Sequence, residues 1–275
     1  MLRKKWVDKR KWFGEFWPMK NQYKSNFRRA LVIFVVLLNS LPLFSLNPNT
    51  LQDSTKKAAN HVFKSTARLH SQGMFSYGGR IGSTHSAFDI QIVYERKAWG
   101  FSCFKAVDLV DHTSPNNFAL AVFYKNFKLT NRFTITPHAG AFLEQPHSFA
   151  GHGSDAAFIL ISAFKVNPRF TIDHAALVGN LIIEPELTDW VNRIRFLYSI
   201  GHIDLTAAAW HNNRAFDRLD YTSCAFSLAI NRLKLSDEFN IGFSVTDMAL
   251  VQSSNTEALP RKNSVVLTLV LQFIK

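Results

Sequence analysis

The 275-residue chain is poor in the features that mark many familiar protein classes. It has two cysteines, Cys103 and Cys224, far too few for a disulfide framework, and they read as small buried hydrophobes. It has no CxxC pair and no heptad seam. It also has no glycine-rich phosphate cradle, because "YGGRIG" (77–82) is not followed by a helical pattern. No cofactor is implied. Ten histidines are present, but His147, His152 and Asp155 share the stretch "PHSFAGHGSD" without a metal-ligand spacing, so no metal site is expected. Charge is scarce along most of the chain. Ten Lys/Arg against two acids put +8 of the net +12 into the first thirty residues. The rest is only mildly basic, and nucleic acid is not an expected partner.

Long apolar runs are also missing, with one exception. "ALVIFVVLLNSLPLF" (30–44) directly follows Arg28-Arg29. A basic segment before a short apolar stretch is the pattern of an export signal. The run falls short of the roughly 20 residues of a membrane-spanning helix. We therefore expect residues 1–45 to be an export signal, with Met19 as an alternative start. Residues 46–68 are expected to be a polar linker or short helix, and 69–275 the folded body.

The body is rich in period-two alternation. In "FDIQIVYE", Phe88, Ile90, Ile92 and Tyr94 fall on one face and Asp89, Gln91 and Glu95 on the other. "RFTIT", "HIDLTA" and "FNIGFSVT" alternate in the same way. Two near-identical phrases stand out: "FKLTNRFTI" ending at Ile135 and "FKVNPRFTI" ending at Ile172. Each places turn chemistry, Thr130-Asn131 or Asn167-Pro168, between strand-like residues. Similar turns fall near residues 96, 201 and 236. Between these tight turns lie longer polar stretches, among them "DHTSPNN" and "HNNRAFDRLD", and one more loop is expected at "GSTHS". The count gives twelve strands, the first through "GMFSYGGRI" and the last through "SVVLTLVLQFIK".

Short turns alternating with long loops, an even strand number and aromatics beside the short turns (Tyr94, Trp99, Phe127, Phe133, Phe164, Phe170, Phe196, Tyr198, Phe239) resemble the bacterial outer-membrane β-barrels. That resemblance implies an all-β, closed antiparallel up-and-down transmembrane barrel of about twelve strands in the outer membrane. Its partners would be the lipid bilayer and, during biogenesis, the barrel-assembly machinery. The apolar face would meet lipid. The polar face would line the lumen: Asp89, Gln91, Glu95, Thr134, Thr136, His138, Asp173, Arg193, Arg195, His202, Asp204 and Asn240. Arg193 and Arg195 project the same way and would either favour anions or pair with Asp173 or Asp204. The expected role is a narrow passive pore for small polar solutes, or a structural role in the envelope. One alternative is a lipid acyl hydrolase using His112 and Ser114, with Asp111 orienting the imidazole. Another is a barrel that binds a partner through its outer loops.

Overall fold

A computed structural model describes residues 61–75, 78–114, 116–144, 155–179, 181–182, 188–216, 219–257 and 263–275. The expected export signal and most of the expected linker lie outside them, as do His147 and His152. The described residues contain fifteen strands and no helix. They are β1 (His61–His70), β2 (Gly73–Phe75), β3 (Arg80–Ser83), β4 (Ala87–Arg96), β5 (Trp99–Asp108), β6 (Phe118–Lys125), β7 (Phe127–Lys128), β8 (Phe133–Glu144), β9 (Ala156–Asn167), β10 (Phe170–Gly179), β11 (Asp189–Ile200), β12 (Ile203–Phe216), β13 (Leu219–Lys234), β14 (Phe239–Ser253) and β15 (Asn263–Ile274). All but β2 and β3 form one sheet, and β6 and β7 are one wall strand interrupted at Asn126. The ring closes twice over, by β1 on β15 and by β6 on β8, giving a twelve-stranded antiparallel up-and-down barrel.

The first wall strand begins earlier than expected. β1 pairs with both β4 and β15, so residues 61–68 belong to the wall. The described residues of "GMFSYGGRI" belong instead to the separate β2–β3 hairpin. "HNNRAFDRLD" also departs from the expected loop, since β12 runs to Phe216 and β13 starts at Leu219.

Three of the five tight turns use a side-chain oxygen as a cap. The Thr130 hydroxyl accepts hydrogen bonds from the backbone N–H groups of Arg132 and Phe133, at 3.1 and 3.0 Å. The Asn167 side-chain oxygen accepts from Arg169 and Phe170, both at 2.9 Å. Ser236 accepts from Phe239 in the same way. A side-chain oxygen that satisfies two N–H groups beyond the turn is the reason for the repeated phrase.

The outward face is apolar. Phe88, Ile92, Phe164, Ile194, Phe226, Leu228, Phe243, Val245, Leu267, Leu269 and Leu271 are all exposed, and neighbours in this set pair directly across strands. Leaving such side chains in water forgoes about 1.5–3 kcal/mol each. A band of this extent is stable only against hydrocarbon. Phe133 and Ile135 lie on this face of β8, opposite inward Thr134, and Ile241 pairs with exposed Leu271. The cysteines are here too: Cys224 is exposed and Cys103 half-buried on the outer face, so they are lipid-facing rather than core residues.

Candidate functional site

The inward face has an apolar part and a wet part. Phe104, Phe118, Leu120, Val122, Phe142, Ile159, Leu177, Val191, Trp210, Tyr221 and Met248 form one buried cluster inside the wall, with Met74 and Ile81 of the β2–β3 hairpin packed against it. This corrects the expectation that only polar residues face the axis. β6 reads "FALAVFYK" because it is covered by lipid on one side and by this cluster on the other.

The hairpin is fixed in the lumen by specific bonds. The fully buried side chains of Asn212 and Tyr221 both donate to the Gly78 carbonyl, at 2.9 and 3.0 Å. The Ser83 hydroxyl donates to Asp108 on β5. Gly79 has φ +65° and lies against the Trp210 ring, where an added Cβ would come within 2.2 Å of the indole.

The rest of the lumen is wet. Two cavities of about 700 and 450 Å³ share Arg68, His70, Met74, Gln91, Val93, Arg193 and Arg195. Arg68 and Arg193/Arg195 come from nearly opposite walls: four strands separate β1 from β11 one way round the ring and six the other. Arg68 donates to Asp89 at 2.6 Å and to Gln91 at 3.2 Å. Asp89 is also bonded to His70, whose other ring nitrogen meets the Thr268 hydroxyl. Across the lumen, Arg193 and Arg195 share Asp173, at 3.1 and 2.7 Å. Asp204 is held by Asn231 and Arg232. Each carboxylate is therefore paired, as a charge in a confined lumen requires.

The paired groups are not equally presented. The Arg68, Arg193 and Arg195 side chains are 28, 24 and 39% exposed, whereas Asp89 and Asp173 are 7 and 5% exposed. The carboxylates sit behind and position the guanidiniums, which face the water.

The sequence-predicted residues fall as follows. Asp89, Gln91 and Glu95 are on the inward face of β4, and Glu95 takes the Tyr124 hydroxyl at 2.9 Å and Lys64 at 3.5 Å. Thr134, Thr136 and His138 are on the inward face of β8, with the His138 ring tilted against that of Tyr124 at 4.8 Å between centroids. Asp173, Arg193, Arg195, Asp204 and Asn240 face inward on β10, β11, β12 and β14. His202 does not line the wall. It lies exposed in the Gly201-His202 turn, where the chain reverses before β12 begins. Sequence reasoning missed Lys64, Arg68 and His70. The signal was the alternation Lys64, Thr66, Arg68, His70 in β1, masked by the small outward residues Ser65 and Ala67.

The expected His-Ser pair does not assemble. Ser114 is 1% exposed and its hydroxyl accepts from the Asn116 backbone and side-chain amides, while His112 is exposed to solvent. Asp111 accepts from the Thr113 hydroxyl and N–H rather than from an imidazole. These bonds from Thr113 hold the Asp111 carboxyl below the usual carboxylate range. The motif is a turn-stabilising network in a loop. Among the described residues no cluster of His, Cys, Asp and Glu has the makings of a metal site.

No family model and no curated protein matches the chain. Solved structures similar to it are outer-membrane channels. A "KdgM porin" is 10% identical, covering 77% of this chain and 98% of its own, with a TM-score of 0.49. A "NanC porin" is 8% identical with TM-score 0.48, covering 77 and 98%. The "COG4313 outer membrane channel from Pseudomonas putida F1" is 8% identical with TM-score 0.46, covering 84 and 100%. The likeness is one of barrel architecture.

Proposed function

We propose that this chain is a bacterial outer-membrane channel giving small polar solutes a narrow passive path, with a preference for anions. The carrying observation is the pairing of an apolar outer belt with cavities of about 700 and 450 Å³ inside a closed barrel, both lined by Arg68, Arg193 and Arg195. Twelve strands fit a narrow lumen, between the filled eight-stranded barrel and the open sixteen-stranded porin. The β2–β3 hairpin narrows it further on the loop side. Five inward cations, Lys64, Arg68, Arg193, Arg195 and Arg232, stand against the four carboxylates Asp89, Glu95, Asp173 and Asp204, and Asp89 and Asp173 are the more deeply buried partners, so the groups turned to the water carry a small positive excess. The last strand, with Leu267, Leu269, Leu271 and Phe273 outward, has the form of the segment that the barrel-assembly machinery receives. The test is single-channel recording of the full chain in planar bilayers. Stepwise ohmic conductance supports the channel. A heat-modifiable, folded barrel without conductance replaces it with a structural role in the envelope.

A further inference from the structure

The short-turn rim carries an arrangement that transport does not use. His61 is directly opposed to Arg96, Arg96 to Trp99, and Trp99 to Lys125. These four therefore make one row across β1, β4, β5 and β6 on the outward face. The Lys125 ammonium lies 4.9 Å from the Trp99 ring centroid and 4.8 Å from that of Phe127. Trp99 is 60% exposed, and Arg96 and Lys97 are exposed beside it. Among the described residues no acidic side chain forms an ion pair with Arg96, Lys97 or Lys125, whereas the inward neighbours Lys64 and Glu95 pair with each other. One step further into the wall the same face becomes apolar, with Phe101 packed on Phe123 at 4.9 Å.

We infer that this row binds the phosphodiester headgroup of an anionic phospholipid in the leaflet on the short-turn side. An indole with one wet end settles at headgroup depth. Cations at that depth meet lipid phosphate, and guanidinium and ammonium donors take its oxygens by charge-assisted hydrogen bonds. Here the indole stands between two such cations, which places the phosphate over the Arg96–Trp99–Lys125 row and the acyl chains against Phe101 and Phe123. A zwitterionic headgroup brings its own ammonium, which the uncompensated row repels. A headgroup with a neutral alcohol does not. The inference rests on the barrel spanning a bilayer and is independent of any solute passing through it.

The experiment reads Trp99 directly. The full chain is folded into phosphatidylcholine vesicles that contain the same minor fraction of either brominated phosphatidylglycerol or brominated phosphatidylcholine. The Trp99 contribution is taken as the fluorescence difference between the parent and Trp99→Phe. We expect brominated phosphatidylglycerol to quench that component severalfold more than brominated phosphatidylcholine. Arg96→Gln/Lys125→Gln should equalise the two, with heat-modifiable migration reporting an intact barrel. Soluble glycerol phosphate should not relieve the quenching. Equal quenching in the parent overturns the inference, as does relief by glycerol phosphate, and both results leave the barrel in the membrane. No quenching by either lipid removes the bilayer itself from around the chain. The parent comparison decides the matter even if the double variant fails to fold.

Discussion

At Gly79 the fold depends on the absence of a side chain. Its φ of +65° belongs to the left-handed region, and the Trp210 ring occupies the space a Cβ would take. Gly79→Ala should strain the backbone by about 1–3 kcal/mol and push the hairpin off the wall. The check is a severalfold rise in single-channel conductance together with a changed Trp210 emission. Tyr221→Phe is milder: it removes one of the two donors to the Gly78 carbonyl, a loss of about 1 kcal/mol. Urea unfolding in micelles would read it. Asp111 gives a pH prediction at the same scale. Its carboxyl is held below the ordinary value by the Thr113 hydroxyl and N–H, so it steadies its loop at neutral pH and loses that effect as pH falls through its lowered value. Thr113→Val should move the Asp111 titration back up, as followed by carboxyl NMR shifts. Residues such as Arg193 and Arg195 were legible because a spacing of two on a strand puts both on one face. Gly78 was not, because only a distant Tyr and Asn give its carbonyl meaning.

Among elements, the turns were the most legible and the loop-side strands the least. Thr130, Asn167 and Ser236 announce their turns by residue type alone, since each oxygen caps the N–H groups that follow it. Asn167→Ala should cost about 1 kcal/mol, measured as a lower urea midpoint, because two exposed N–H groups then bond only to water. "HNNRAFDRLD" read as a loop because it is polar. Residues 211–216 and 219–220 are strand because the wall there rises out of the hydrocarbon: His211 faces outward and bonds Thr222 across the pair, while Asn212 turns inward to Gly78. "GMFSYGGRI" failed for the opposite reason. Its alternation is real, but its partner is the barrel interior rather than a neighbouring wall strand, and no local pattern encodes that choice. β1 absorbed the place it vacated in the ring, which is why the count of twelve survives.

At the scale of the molecule, an even strand count and one-sided short turns were readable because closure and bilayer thickness impose them on every strand alike. The division of the lumen was not, since an inward apolar residue and an outward one look the same in sequence. What closure adds is electrostatics. It brings Arg68 on β1 across from Arg193 and Arg195 on β11, groups separated by more than a hundred residues of chain. Their partners Asp89 and Asp173 are withdrawn into the wall. An ion passing through the proposed channel would therefore meet guanidinium before carboxylate, in a confined space where screening by salt is weak. The parent should thus show an anion-selective reversal potential under a salt gradient. Arg193→Gln/Arg195→Gln leaves Asp173 without its cations and should shift that potential toward cation preference. Adding Asp173→Asn removes the stranded charge and should bring the potential back to an intermediate value. A parent that conducts with cation preference would show that the carboxylates, not the guanidiniums, govern the field, and an unmoved potential in the double variant would place the selective step elsewhere, at the hairpin.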